Sequence, residues 1–389
     1  MIVGSQAASS ETAIKPLRVA YLTEWAPYEE TGVLRKLIGQ VQTWRDLGVV
    51  AEIFCLAPTR REPTALGFAS YGSVQGLIKQ DMLDRLPAAR LGYLNKILSA
   101  PILAREIRRF KPDIVYYRQN GPWYPGLERL LAIAPTVVEI NTDEEVEHYL
   151  WGAAFNALYR ATQDRILNVV AGFVSVTREI ARKYERFGRP NYVVANGFWG
   201  ERVIQRAPEN DAPAFVFVGS RLTGGASWHG VDKVLPLARA MPRCVFHIVG
   251  HTVEDFVGEP IPTNVVFHGF KNGCELAAIF ARSDIGIGTL ALHRKGMQEA
   301  CPLKVRDYLM HGLPSVIGYE ETEEALNSAS YVLRINNAED NVLSNIRCIE
   351  QFAWKWHGRR ITDDLSFMSR RVKETQRLKF FAAVQSARG

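Results

Sequence analysis

At 389 residues, 47% hydrophobic and 23% charged, the chain is large for one core and of natural size for two domains. A net charge of +6 with a pI near 9.0 favours anionic partners, but the cations are too dispersed to mark a nucleic-acid binder. No apolar run approaches the ~18 residues of a membrane span. The five cysteines (Cys55, Cys244, Cys274, Cys301, Cys348) show neither CxxC nor Cys/His spacing, so no metal is implied and reduced thiols in a cytoplasmic protein are expected.

Residues 1–16 read as a loose tail, small and polar, with no apolar core of a signal peptide. Short β-branched runs then alternate with helical stretches. Strands are predicted at 18–23, 51–57, 114–118, 136–140, 172–176 and 192–195, then at 215–219, 245–249, 265–269, 285–289, 315–317 and 332–335. Continuous apolar strands separated by helices imply an α/β chain with parallel sheets buried on both faces. Gly, Asn and Pro cluster at 196–213 as punctuation between two halves, each with the rhythm of a Rossmann-like domain. No G-x-G-x-x-G follows the first strand, which disfavours an oxidoreductase.

Residues 298–317 carry the most chemistry. Pro302 suits the first position of a helix, where its missing N–H loses nothing. Gly312 suits a left-handed terminus, and Pro314 prevents continuation. The amides of Leu303 and Lys304 then point out of a helix N-terminus, where an anion is stabilised, and Lys304 adds a full charge. Glu299 and Asp307, eight positions apart, offer acceptors for sugar and ribose hydroxyls on either side of a bound phosphate. The plainer alternative is a surface helix with a Lys304–Asp307 ion pair worth a few tenths (~0.3) of a kcal/mol.

This segment resembles the acid-x7-acid motif of family four of the retaining glycosyltransferases, whose GT-B fold sets two Rossmann-like domains across a cleft. Asn196-Gly197, the run Phe215 to Ser220 and Trp228-His229-Gly230-Val231-Asp232 are similar to further landmarks of that family, and so are Phe246 to Gly250 and Val266 to Gly269. The resemblance implies a first, acceptor-binding domain over 17–197 and a donor domain over 198–355. A closing segment, 356–389, would return to the first domain. It implies no cofactor, with a nucleoside-diphosphate sugar as donor and a glycan or lipid-linked acceptor; no D-x-D triad occurs in the sequence, so no metal is implied. Such work would belong to bacterial surface polysaccharide or glycolipid synthesis.

By the same resemblance Glu299, Lys304 and Asp143 serve catalysis, with Asn141 or Asp143 standing where many relatives carry a catalytic histidine after the fourth strand of the first domain. Here that stretch reads Glu139-Ile140-Asn141-Thr142-Asp143-Glu144. Donor contacts are expected from Gly32, Ser220, Arg221, His229, Arg294, Cys301, Pro302, Leu303 and Asp307. His229 stands where many relatives have a phosphate-gripping lysine, and Arg294 or Lys295 would help Lys304. Trp228 is read equally as a packing residue or a ligand contact. The basic amphipathic run 77–111 could meet anionic lipid, making the protein peripheral at the inner membrane face. An epimerase of the same architecture, and a non-catalytic nucleotide-sugar-binding subunit, remain open as alternatives.

Overall fold

The computed structural model describes residues 15–24, 31–56, 67–75, 88–119, 121–149, 152–219 and 227–387. In the first half the strands are Arg18–Thr23 (β1), Val50–Leu56 (β2), Gly72–Gln75 (β3), Ile114–Arg118 (β4), Thr136–Ile140 (β5), Gly172–Ser175 (β6) and Asn191–Val193 (β7). In the second they are Ala214–Val218 (β8), Val245–Val249 (β9), Val265–Phe267 (β10), Ile285–Ile287 (β11), Glu299–Ala300 (β12), Ser315–Ile317 (β13), Glu320–Glu321 (β14) and Val332–Arg334 (β15). The first sheet runs β3-β2-β1-β4-β5-β6-β7 and the second β10-β9-β8-β11-β13-β15, parallel throughout, with β12-β14 as a separate pair. Each large sheet has the doubly wound order, which reverses direction once. The reversal lies between β1 and β4 in the first sheet and between β8 and β11 in the second. A crevice opens at the carboxyl ends of the strands at such a point. The chain is thus an α/β protein with two Rossmann-like sheets.

Every predicted strand is present. The sequence reading missed β3, whose Gly72-Ser73-Val74-Gln75 has one apolar residue and pairs only at the sheet edge. Nor does it predict β12, the two-residue strand that Glu299 opens.

The helix Gly32–Asp46 starts at Thr31, whose side chain accepts from Leu34 N, and buries Leu34, Leu37, Ile38, Val41 and Trp44 at helical spacing. Gly48, at φ 85°, turns the chain towards β2. The last helix, Arg370–Ser386, lies on this first helix. Its Phe381 packs on Trp44 and Tyr116, with centroids 5.6 and 5.1 Å apart, and each such pair contributes about 1 kcal/mol beyond area burial. One continuous apolar cluster runs from Leu22 and Tyr117 through Phe198 to Val305 and Leu309. Packed side chains therefore join the halves, as well as the backbone crossover.

Among the described residues no helix is long and apolar enough to cross a membrane.

Candidate active site

The helix Leu303–Met310 is pinned at the reversal point of the second sheet. Tyr308, fully buried, accepts a hydrogen bond from Val218 N of β8 (2.9 Å) and donates one to Ile287 O of β11 (3.1 Å). Gly286 makes this possible, because a Cβ there would lie 2.3 Å from the Tyr308 ring. Pro302 precedes the helix instead of opening it: its φ of −69° is helical but its ψ of 139° is extended. Gly312, at φ 78°, ends it. The first amides of any helix have no partner inside it, so those of Leu303 and Lys304 are available to an anion.

Lys304 Nζ stands 4.0 Å from the centroid of the Phe217 ring and is shielded from solvent. It has no hydrogen-bond partner among the described residues. Burial alone draws its pKa down to about 7. His229 is held neutral by burial first and then by the charges of Lys304, Lys295 and His251, and its Nδ1 also lacks a partner. A shielded cation facing no carboxylate, beside a helix start and a neutral imidazole, is a site that an anion completes. The Lys304–Asp307 ion pair of a plain surface helix is absent. Asp307 instead accepts from the indole N–H of Trp199, and burial lifts its carboxyl to about 6.

The first domain meets this site at several points. A methyl group on Gly32 would lie 3.5 Å from Leu303 Cδ1, so the starts of two helices face each other. Glu299 accepts from Glu179 N (2.8 Å), and Glu179 in return accepts from the backbone N–H of Gln298 and Glu299 (2.9 Å each). This clasp holds β12 against the start of the helix Arg178–Tyr184, while the other oxygen of Glu299, Oε1, is buried without a hydrogen bond among the described residues and lies 3.7 Å from Arg178 Nε. Asp143 pairs with Lys183. Lys295 reaches across to the Thr142 hydroxyl and to Glu147 (2.6 Å), with its Nζ 4.8 Å from the centroid of the Trp228 ring, and Trp228 is buried. Burial, with Glu147 beside it, lifts the Glu144 carboxyl to about 8.

Two other expected donor contacts are engaged elsewhere. Arg294 donates twice to Asp232 (3.0 and 2.8 Å) and to Glu339 and Ser227 O, so its guanidinium is bound within the second half. Cys301 is turned to the crossover: its Sγ receives Asn196 N and Arg306 Nη2 at 2.9 Å each, and burial pushes its thiol up to about 11. Ser220 and Arg221 lie outside the described residues. Among the described residues, no group of three or more His, Cys, Asp or Glu could hold a metal ion.

The residues that sequence reasoning did not single out are Lys36, Trp199, Arg178, Glu179 and Lys183. None of them left a usable signal, Lys36 included: it lies opposite the apolar stripe Leu34, Leu37, Ile38 and Val41, where periodicity predicts solvent, yet it is 8% exposed.

Residues 37–198 match the family model described as Glycosyltransferase Family 4. Comparison with curated protein sequences gives no match. Three solved structures share the architecture over nearly the whole chain. A sucrose-phosphate synthase from Thermosynechococcus elongatus is 10% identical, covering 96% of this chain and 97% of its own, with a TM-score of 0.61. WaaG, a glycosyltransferase involved in lipopolysaccharide biosynthesis, is 12% identical over 95% and 98%, at 0.58. The lipopolysaccharide outer core galactosyltransferase WaaB is 10% identical over 95% and 97%, at 0.55. The fold is therefore GT-B. Residues 37–198 lie in the first half, so the resemblance read chiefly from motifs of the second half is met by an independent match in the first.

Proposed function

We propose that the chain is a retaining glycosyltransferase that moves a sugar from a nucleoside-diphosphate sugar to a glycan or lipid-linked acceptor without a metal ion. The observation that carries this reading is the shielded, unpartnered Lys304 Nζ at a helix start pinned on the sheet's reversal point. That cation and the amides of Leu303 and Lys304 would receive the diphosphate, and Asp307 the ribose. Glu299 Oε1, buried without a hydrogen bond among the described residues and 3.7 Å from Arg178 Nε, would accept from a hydroxyl of the transferred sugar. In the reaction the acceptor oxygen bonds to the anomeric carbon as the bond to the phosphate oxygen breaks. The acceptor's proton passes to the leaving phosphate, so no nucleophile–base pair is required of the protein. Each preorganised donor aimed at the developing charge contributes roughly 3 kcal/mol.

The test is turnover of UDP- and GDP-sugars with excess EDTA present. The expected outcome is transfer or slow donor hydrolysis at the uninhibited rate. Loss in EDTA that Mg²⁺ or Mn²⁺ restores would contradict the metal-free reading.

For the acceptor side, the helix Ala88–Phe110 exposes Leu94 (43%), Leu98 (47%) and Ile102 (37%) along one stripe, followed by exposed Arg105 and Arg109. Apolar residues continued by cations suit an anionic lipid surface at the inner membrane face. Leu98→Glu should abolish co-sedimentation with phosphatidylglycerol vesicles, and unchanged sedimentation would remove the membrane from the account.

A further inference from the structure

The first domain holds a buried charge cluster that the anion site does not use. Glu139, fully buried at the end of β5, faces Lys36 (2.9 Å), Arg118 (3.2 Å) and Arg377 (3.7 Å). The Tyr21 hydroxyl (3.1 Å) and the Gln40 amide (3.3 Å) also donate to it. Arg377 comes from the last helix and is held there by Glu374 (2.5 Å). Lys36 is thereby fixed in place, and its Nζ makes a second hydrogen bond, to Asn141 Oδ1 at 2.6 Å.

That second bond has a directional consequence. A lysine ammonium has donors only, so the Asn141 atom facing it must be the oxygen. The amide cannot be flipped without setting its NH2 against the ammonium. Asn141 Nδ2, with two N–H donors, therefore points away from Lys36, and it has no partner among the described residues. Asn141 also stands between two places where the halves touch. On one side, Gly32 meets Leu303 a turn before Lys36 on the same helix. On the other, the adjacent Thr142 meets Lys295.

We propose that Lys36 is a positioning residue that locks Asn141 so that its amide NH2 donates to a hydroxyl oxygen of the transferred sugar. The inference rests on the donor reading above. A sugar joined to a phosphate at the Leu303 amide faces the first helix at Gly32, and the Lys36–Asn141 pair lies about one turn further along that helix. Asn141 makes the contact and Lys36 acts only through it.

The experiment compares Asn141→Ala, Lys36→Met, Lys36→Arg and the Lys36→Met/Asn141→Ala double variant. Each is measured for binding of UDP and GDP, and for kcat with the nucleotide sugar that the unaltered chain turns over. Asn141→Ala should leave nucleoside-diphosphate affinity unchanged and lower kcat by about 100-fold. Lys36→Met should fall similarly, and the double variant should be no worse than the poorer single, because the two residues act as one unit. Lys36→Arg, which keeps a donor for Oδ1, should recover most of the loss. If Lys36→Met fails to fold, Asn141→Ala and Lys36→Arg decide the matter. Wild-type kcat in Asn141→Ala, or losses that multiply in the double variant, would overturn the assignment while leaving the donor site intact. Failure of the unaltered chain to bind either UDP or GDP would instead overturn the donor reading, and this inference with it.

Discussion

Lys304→Met is expected to lower turnover by about 100- to 1000-fold while leaving the melting temperature of the ligand-free protein unchanged or raised. The two halves of this expectation have one cause. Lys304 Nζ is shielded, stacked over Phe217 and without a hydrogen-bond partner among the described residues, so in the empty site it is a desolvation cost that nothing offsets. Methionine fills the same space and keeps a favourable sulfur contact with the ring. What it cannot do is neutralise a departing diphosphate. Steady-state kinetics at saturating donor, set beside a thermal melt, separate the two effects. Near-normal turnover would mean that the diphosphate binds elsewhere, and a large fall in melting temperature would mean that the lysine is structural.

Arg306→Leu should have the opposite profile, a fold defect first. Arg306 is wholly buried and makes a bidentate pair with the equally buried Glu321 at 2.5 and 2.8 Å. The Tyr319 hydroxyl completes Glu321 at 3.0 Å. Removing the arginine strands that carboxylate, which costs about 3–5 kcal/mol. The damage also reaches the crossover, because Arg306 Nε donates to Asn196 O (2.9 Å) and Nη2 to Cys301. Urea denaturation should show the loss, and Arg306→Leu combined with Glu321→Leu should recover part of it. A loss below about 1 kcal/mol for the single variant would show the pair to be dispensable.

How much of this could be read from the chain depends on the distance in sequence between the groups concerned. The helix Leu303–Met310 was legible because its signals are local: Pro302 before it, Gly312 after it and an apolar strand beyond. The strands were legible because both faces of a parallel sheet are buried, giving runs such as Ala-Phe-Val-Phe-Val in β8. Arg306 and Glu321 were not, since two charged residues near a helix look solvated until the fold puts each at 0% exposure. Nor were the pairs that cross the cleft. Glu179 with Glu299, Trp199 with Asp307 and Thr142 with Lys295 lie more than a hundred residues apart in the chain. Contacts of this kind are made by side chains from the two halves and leave no periodicity in either. Cys301 shows the converse: its place inside the motif suggested a donor contact, yet its thiol faces Asn196 and Arg306.

If Lys304 is the counter-charge of a bound diphosphate, binding must be accompanied by proton uptake. In the empty site burial holds Lys304 at about 7, so at pH 8 it is largely neutral. A diphosphate beside it favours the charged form and raises that value, so binding at pH 8 must draw a proton from solution. Calorimetric titration with UDP or GDP in two buffers of different ionisation enthalpy reads the uptake. The unaltered chain should take up close to one proton per site, and Lys304→Met should bind more weakly with that uptake gone. Equal affinity and equal proton uptake in the two proteins would contradict the site.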